Sequence, residues 1–68
     1  MKYVYTESGC SKCEELKAQL KKDKIIYIER HSSRIKSPED EADREALIRA
    51  STQNLILPVV VDLETQDD

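Results

Sequence analysis

Two cysteines, Cys10 and Cys13, are the residues of this chain whose type and spacing could support covalent chemistry. They are separated by two residues in the stretch SGCSKCEELKAQLKK, and the chain contains no other cysteine. Such a pair can exchange with disulfides as a dithiol, or it can supply two ligands to a metal ion or an iron-sulfur cluster. It can also be two small apolar residues without a chemical role. Which of these applies depends on the elements that hold the pair.

A predicted strand precedes the pair and a predicted helix follows it. Residues Lys2–Thr6 are rich in the aromatic and β-branched side chains that favour strands. Gly9, the only glycine, allows an unusual turn between that strand and the pair. Residues Ser11–Lys22 have a helical pattern, with apolar side chains at i, i+3 and i+7: Cys13, Leu16 and Leu20. The pair therefore lies at the N-terminus of a helix.

A helix N-terminus favours the attacking form of a thiol. Its backbone N–H groups are unpaired and its dipole is positive there, so a thiolate is stabilised. Cys10 lies just outside the first turn, where its sulfur can face these N–H groups, and Lys12 adds a nearby positive charge. Cys13 lies on the first turn, within reach of Cys10 and partly covered by the helix. This asymmetry predicts that Cys10 attacks a disulfide and that Cys13 resolves the mixed disulfide.

The next segment completes a strand–helix–strand unit. Ile25–Ile28 is a β-branched run bounded by charged residues, which is typical of a buried strand. A strand, a helix and a strand in this order predict parallel pairing with a right-handed crossover. Glu29–Lys36 has no apolar pattern beyond Ile35 and is predicted to be a loop.

The second half of the chain predicts one more helix and one more strand. Ser37 is the predicted N-cap of a helix over Pro38–Ser51, because proline suits the first helical position and acidic residues follow it. The positions predicted to face inward are Ala42, Ala46, Leu47 and Ala50. Val59–Val61 is a predicted strand, and Pro58 before it fits a strand beginning because proline has no N–H to donate. Residues 64–68 are polar and are expected to be frayed.

Most charged residues of the second half are predicted to be solvated. The acidic run with Glu41, Asp43 and Glu45 could contact a partner, but a solvated helix face is the preferred interpretation. His31 could donate a proton to a leaving thiol, but an exposed loop histidine is preferred there as well. Two arginines could attract an acidic substrate, which we consider a minor alternative: Arg30 and Arg34.

The composition limits the classes of function. A chain of 68 residues is long enough for one domain over 1–68, with 38% hydrophobic and 37% charged residues. A net charge of −3 gives no reason to expect binding to nucleic acid or to an anionic membrane. No apolar run approaches a membrane span, and the start does not resemble a secretory signal, so we expect a cytoplasmic location. A structural disulfide is rare there, which favours a chemical role for the cysteines.

Two segments resemble a known family. The stretch Tyr5–Cys13, YTESGCSKC, resembles the active-site segment of glutaredoxins, in which a strand ending in Tyr-Thr or Tyr-Ser is followed by x-x-Gly-Cys-x-x-Cys. Pro58, behind a helix and ahead of a valine strand, is similar to the cis-proline that packs against the active-site cysteines of thioredoxin-fold proteins. The resemblance covers Lys2 to about Leu63. It identifies the chain as similar to a small glutaredoxin-like redoxin.

The resemblance implies a minimal thioredoxin-like α/β fold, with the order β-α-β-α-β, a three-stranded mixed sheet and Pro58 in cis. It implies that Cys10 is the nucleophile, that Cys13 is the resolving thiol and that the backbone of Leu57 pairs with the substrate's chain. Tyr5 would pack beneath the motif, although a core aromatic on the first strand is the simpler interpretation. We expect the substrate-binding residues to be Tyr5, Lys12, Leu57 and Pro58. The implied activity is reduction of protein or small-molecule disulfides without a bound cofactor, with glutathione or a flavoprotein reductase as external electron donor.

The chain departs from glutaredoxins in two places. Glu7 lies in the region where the family usually carries a basic residue that holds the carboxylate of glutathione. The family also continues past the proline-led strand with a hairpin, a Gly-Gly element and a last helix, whereas this sequence ends a few residues after Leu63. A three-stranded sheet with two helices is then expected to leave one edge unpaired and one face partly uncovered, and a homodimer would cover either.

Two other classes of function stay open from the sequence. The cysteine pair could provide ligands in a metal or iron-sulfur module, with a second chain supplying the remaining ligands. Alternatively, the chain could be a redox-responsive adaptor that has lost turnover. Regulators related to arsenate reductase also carry Cys-x-x-Cys after a Tyr-Thr strand, which keeps this interpretation open.

Overall fold

A computed structural model of the chain describes residues 1–54 and 56–63. These residues form a mixed α/β structure with a three-stranded mixed sheet and three helices, which confirms the predicted α/β class. The elements in chain order are β1 (Lys2–Thr6), α1 (Ser11–Lys22), β2 (Tyr27–His31), α2 (Ser33–Lys36), α3 (Glu41–Thr52) and β3 (Val59–Asp62). Residues 64–68, which were predicted to be frayed, lie outside the described part. Within that part, no helix is long and apolar enough to cross a membrane.

The sheet has the strand order β2-β1-β3, with β1 in the centre. The pair β1–β2 is parallel, with Lys2 opposite Tyr27, as predicted for a strand–helix–strand unit. The pair β1–β3 is antiparallel, with Tyr5 opposite Val59. The predicted bounds of β1 and α1 are confirmed.

The predicted second strand begins too early. β2 begins at Tyr27, not at Ile25, and Ile26 is 81% exposed. The reason is the end of α1: Lys24 has a positive φ of 58°, its N–H donates to the Lys21 carbonyl, and the Ile25 N–H donates to the Leu20 carbonyl at 2.9 Å. This is a Schellman motif. It uses the backbone of Ile25 to end the helix, so the strand starts after the two isoleucines.

The predicted loop Glu29–Lys36 and the predicted start of the last helix both need correction. The loop region contains the end of β2 and the short helix α2. Ser37 follows α2 as its C-cap and does not cap α3. Asp40 is the N-cap of α3 instead, because its carboxylate accepts a hydrogen bond from the Asp43 N–H at 2.9 Å.

Helices lie against both faces of the sheet. Side chains of α3, α2, β1 and β3 form the larger core: Tyr5, Ile35, Ala46, Ala50, Val59 and Val61. On the opposite face, Glu29 of β2 accepts hydrogen bonds from Thr6 of β1 and Lys17 of α1. Each face therefore carries a helix, and the partly uncovered face stays a prediction. Three of the predicted inward positions of the last helix are buried, but the fourth, Leu47, is 40% exposed.

Candidate functional site

The turn before Cys10 depends on the only glycine. Gly9 has a φ of +77°, a region that glycine enters without steric cost. No atom lies within 4 Å of the place where a Cβ would be, so the backbone angle and not the available space requires glycine. The Cys10 N–H then donates to the Glu7 carbonyl at 3.3 Å and closes the turn. This turn places Cys10 directly before α1.

Cys10 is the N-cap of α1. Its backbone is extended, with φ −91° and ψ 103°, and its Sγ accepts a hydrogen bond from the Cys13 N–H at 3.1 Å. The sulfur therefore lies over the unpaired N–H groups of the first turn, as the sequence predicted. Those N–H groups would stabilise negative charge on this sulfur whenever the pair is reduced.

The two cysteines form a disulfide and differ in accessibility. Their Cα atoms are 5.2 Å apart, within the usual range for a disulfide. Cys13 is fully buried, whereas Cys10 is partly exposed. An external thiol or disulfide can therefore approach Cys10 more easily than Cys13. The accessibility agrees with the predicted division of labour, and the attacking and resolving roles stay predictions.

The segment before β3 returns to the same end of the sheet. Because Tyr5 is opposite Val59, Pro58 lies beside the end of β1, where the cysteine loop begins. The peptide bond between Leu57 and Pro58 is cis, and both residues are half-buried. The Pro58 carbonyl accepts a hydrogen bond from Nε2 of Gln53 at 3.3 Å. The structure thus brings Leu57 and Pro58 to the end of the sheet that carries the cysteines.

The other two predicted site residues, Lys12 and Tyr5, differ in exposure. Lys12 is exposed on the first turn of α1 and forms no hydrogen bond or ion pair with the described residues. Tyr5 is fully buried in the core, which confirms the simpler interpretation of this residue. Its hydroxyl donates to Oδ1 of Asp43 at 2.7 Å. Burial, together with this hydrogen bond to a carboxylate, raises the pKa of Tyr5 to about 12.

Asp43 is a fully buried carboxylate, so its predicted solvation is wrong. Besides Tyr5, two guanidinium groups bind it: Nη1 of Arg30 lies 3.0 Å from Oδ1, and Nη2 of Arg34 lies 3.1 Å from Oδ2. Burial alone would raise the pKa of Asp43, but hydrogen bonds from Tyr5 and Arg34 outweigh burial and hold that pKa well below its usual range. The two arginines therefore join α3 to β2 and α2.

A pattern in the sequence could have revealed this network. Asp43 precedes Ala46 and Ala50 by three and seven positions, so the three residues share one helix face. A carboxylate on a buried alanine stripe needs cationic partners. The partners themselves do not follow from proximity in the sequence, because Arg44 and Lys36 are closer to Asp43 than Arg34 and Arg30 are.

The one histidine of the chain, His31, forms no hydrogen bond with either cysteine. His31 is the last residue of β2 and not part of a loop, although it is exposed as predicted. Its Nδ1 accepts a hydrogen bond from the Ser33 N–H at 3.1 Å. Among residues 1–54 and 56–63, no three His, Cys, Asp or Glu side chains are grouped so that they could hold a metal ion.

Comparison with models of known protein families, with characterised proteins and with solved structures gives no match for this chain. Its function must therefore be inferred from the geometry of the site itself.

Proposed function

We propose that this chain is a thiol-disulfide oxidoreductase of the glutaredoxin-like type. The observation that supports this function is the Cys10–Cys13 disulfide at the N-terminus of α1, with Cys10 accessible and Cys13 buried. The parallel β1–β2 pair around α1, the antiparallel β3 and Pro58 directly before β3 support a thioredoxin-like fold.

The reaction would proceed in two exchange steps. The Cys10 thiolate attacks one sulfur of the substrate disulfide, a Cys10–substrate bond forms, and the substrate's other sulfur leaves as a thiolate that takes a proton from solvent. The Cys13 thiolate then attacks Cys10, closes the intramolecular disulfide and releases the second substrate thiol. Two electrons pass from the dithiol to the substrate. An external reductant, either glutathione or a flavoprotein reductase, would restore the dithiol without a bound cofactor, in the expected cytoplasmic location.

The first test is equilibration of the purified, metal-free protein in a series of glutathione redox buffers. The samples are quenched with acid, alkylated and measured by intact mass. We expect a loss of two hydrogens that titrates between about −270 and −180 mV, the range from thioredoxin to disulfide isomerase. If both thiols stay reduced at every potential, or form only scattered glutathione adducts, the proposal is wrong.

Two cysteine variants test the division of roles. Cys10→Ser should abolish turnover of a small disulfide such as hydroxyethyl disulfide. Cys13→Ser should still attack and should accumulate a mixed disulfide on Cys10, visible by intact mass. A Cys10→Ser variant that keeps a specific partner while the wild type shows no turnover would favour an adaptor. Visible absorbance or bound metal in the protein as purified would favour a metal or cluster module.

A further inference from the structure

An apolar groove adjoins the cysteine loop. It has a volume of about 290 Å³, and it is lined by Glu7, Ser32, Ile35, Lys36, Leu47 and Leu57. Three of these residues, Ser32, Ile35 and Lys36, belong to or directly precede α2. The groove therefore depends on a helix that the sequence pattern did not predict.

The groove adjoins the candidate site through two of its lining residues, Glu7 and Leu57. The Glu7 carbonyl accepts the hydrogen bond from the Cys10 N–H, and Leu57 directly precedes Pro58. Ser32 connects the groove lining to the end of β1. Its N–H donates to the Thr6 carbonyl at 2.8 Å, and its hydroxyl donates to Oε1 of Glu7 at 2.9 Å. A chain attached to a sulfur on Cys10 can thus reach the groove.

The side chains of the groove indicate what could occupy it. Three apolar residues form its floor, and one of them, Leu47, is 40% exposed. At the rim, the Glu7 carboxylate accepts a hydrogen bond from the neutral Ser32 hydroxyl. Lys36 also lines the groove, but among the described residues neither Lys36 nor Glu7 forms an ion pair, so the Glu7 carboxylate is left without a cationic partner. The floor suits an apolar side chain, and the Glu7 carboxylate suits a cationic group beside it. Glutathione has no large apolar side chain to fill the floor.

We propose that the substrate is a disulfide-bonded polypeptide that places an apolar side chain near its cysteine in this groove and a basic side chain against Glu7. The proposal rests on the oxidoreductase function proposed above. The covalent chemistry is unchanged: Cys10 bonds to the peptide's cysteine sulfur, the other half of the disulfide leaves as a thiol, and Cys13 releases the peptide. The groove contributes by positioning the peptide for the first attack.

Substitutions on α3 test the floor of the groove. The substrates are a peptide disulfide with Leu beside its cysteine, the same peptide with Ser there, and hydroxyethyl disulfide, which is too small to fill the groove. Leu47→Gln should slow reduction of the Leu peptide about tenfold, equivalent to about 1.4 kcal/mol, and should leave the other two substrates unchanged. Ile48→Gln, a control at an exposed neighbour outside the groove, should change none of the three rates. The proposal would be overturned if the wild type reduced the Leu peptide and the Ser peptide at equal rates and Leu47→Gln did the same.

Charge substitutions test the rim. Glu7→Gln should slow reduction of a peptide with Arg beside its cysteine several-fold relative to reduction of hydroxyethyl disulfide, whose rate reports thiol reactivity. Glu45→Gln makes the same change in net charge on α3, away from the groove lining, and should leave both rates unchanged. Equal slowing by both variants would overturn the role of Glu7. If the wild type reduces no disulfide at all, including the small one, the oxidoreductase function fails and this proposal fails with it.

Discussion

At the scale of single residues, Asp43 connects four segments of the chain. Its carboxylate accepts hydrogen bonds from β1, β2 and α2 through Tyr5, Arg30 and Arg34, and from the Glu39 N–H. A buried ion pair is not by itself a large gain, because both charges lose their hydration. Its removal is costly, however, because the partner charges remain buried without compensation.

We therefore expect Asp43→Asn to lower the free energy of unfolding by about 3–5 kcal/mol. A domain of this size has a total stability of only about 3–10 kcal/mol, so the variant would be close to unfolding. The measurement is guanidinium denaturation followed by circular dichroism. Glu45→Gln is the control, since Glu45 is on the same helix but half-exposed, and its change should stay within about 0.5 kcal/mol. Equal stability of the two variants would contradict the role assigned to Asp43.

At the scale of the elements, the ends of the helices determine where the neighbouring segments begin. α3 begins at Glu41 because the Asp40 carboxylate caps the Asp43 N–H and also binds Arg30. Ser37 and Pro38 have the sequence typical of a helix start but follow directly after α2. A capping motif in the sequence therefore indicates that a helix begins nearby. It does not indicate which of several polar residues is the N-cap.

Substitution of the two cap candidates distinguishes them. Asp40→Ala should lower the melting temperature by about 5 °C, because an N–H of α3 loses its acceptor. Ser37→Ala should change it by less than about 2 °C, because the Ser37 side chain does not cap α3. The measurement is thermal denaturation monitored at 222 nm. A larger loss with Ser37→Ala than with Asp40→Ala would show that the helix starts where the sequence pattern placed it.

The end of α1 gives a second prediction at this scale. Lys24 adopts a left-handed backbone, with φ of 58°, which costs a side-chain-bearing residue about 1 kcal/mol relative to glycine. Lys24→Gly should therefore raise the melting temperature by about 4 °C. Lys22→Gly, two residues earlier in the last helical turn, should lower it by a similar amount. Destabilisation by both glycines would contradict the assigned helix end.

At the scale of the whole molecule, charged contacts connect the elements on both faces of the sheet. Carboxylates in these contacts have lowered pKa values: hydrogen bonds from Thr6 and Lys17 lower the pKa of Glu29, and a hydrogen bond from Lys2 lowers that of Asp62. The pKa of Asp43, which lies on the other face of the sheet, is lowered as well. Each such carboxylate stabilises the folded state above its unfolded pKa of about 4, and this contribution is lost as the pH falls through the lowered folded pKa.

The stability of the chain should therefore be nearly constant between pH 5 and 8 and should fall steeply below about pH 4. Urea denaturation at pH 7, 5 and 3 measures this directly. In Asp43→Asn, if it folds, the fall between pH 5 and 3 should be smaller, because the most strongly shifted carboxylate is gone. Equal stability at pH 7 and pH 3 in the wild type would contradict the contribution of these carboxylates.

The expected homodimer also belongs to the scale of the whole molecule. One reason for expecting it, a partly uncovered sheet face, stays a prediction, although α1 and α3 lie on opposite faces. The other reason, an unpaired edge, still applies to β2 and β3, each of which pairs only with β1 among the described residues. The homodimer stays a prediction.

The local features of this protein could be predicted from its sequence. Cys10 and Cys13 were placed at the start of α1, and β1 and α1 were predicted with their observed bounds, because propensity, periodicity and capping act between residues close in the chain. The same reasoning led to the α/β class and the parallel β1–β2 pair. All of these depend on interactions over a few residues or on the handedness of one connection.

Contacts between side chains that are distant in the chain became visible only in the folded structure. Asp43 appears solvated in its acidic sequence context, yet the packing of α3 on the sheet buries it against Arg30 and Arg34. The groove beside Cys10 likewise exists because α2 and Leu47 come together with residues distant in the chain. Such contacts depend on the mutual positions of packed elements, and the pattern of residues within one element does not specify those positions.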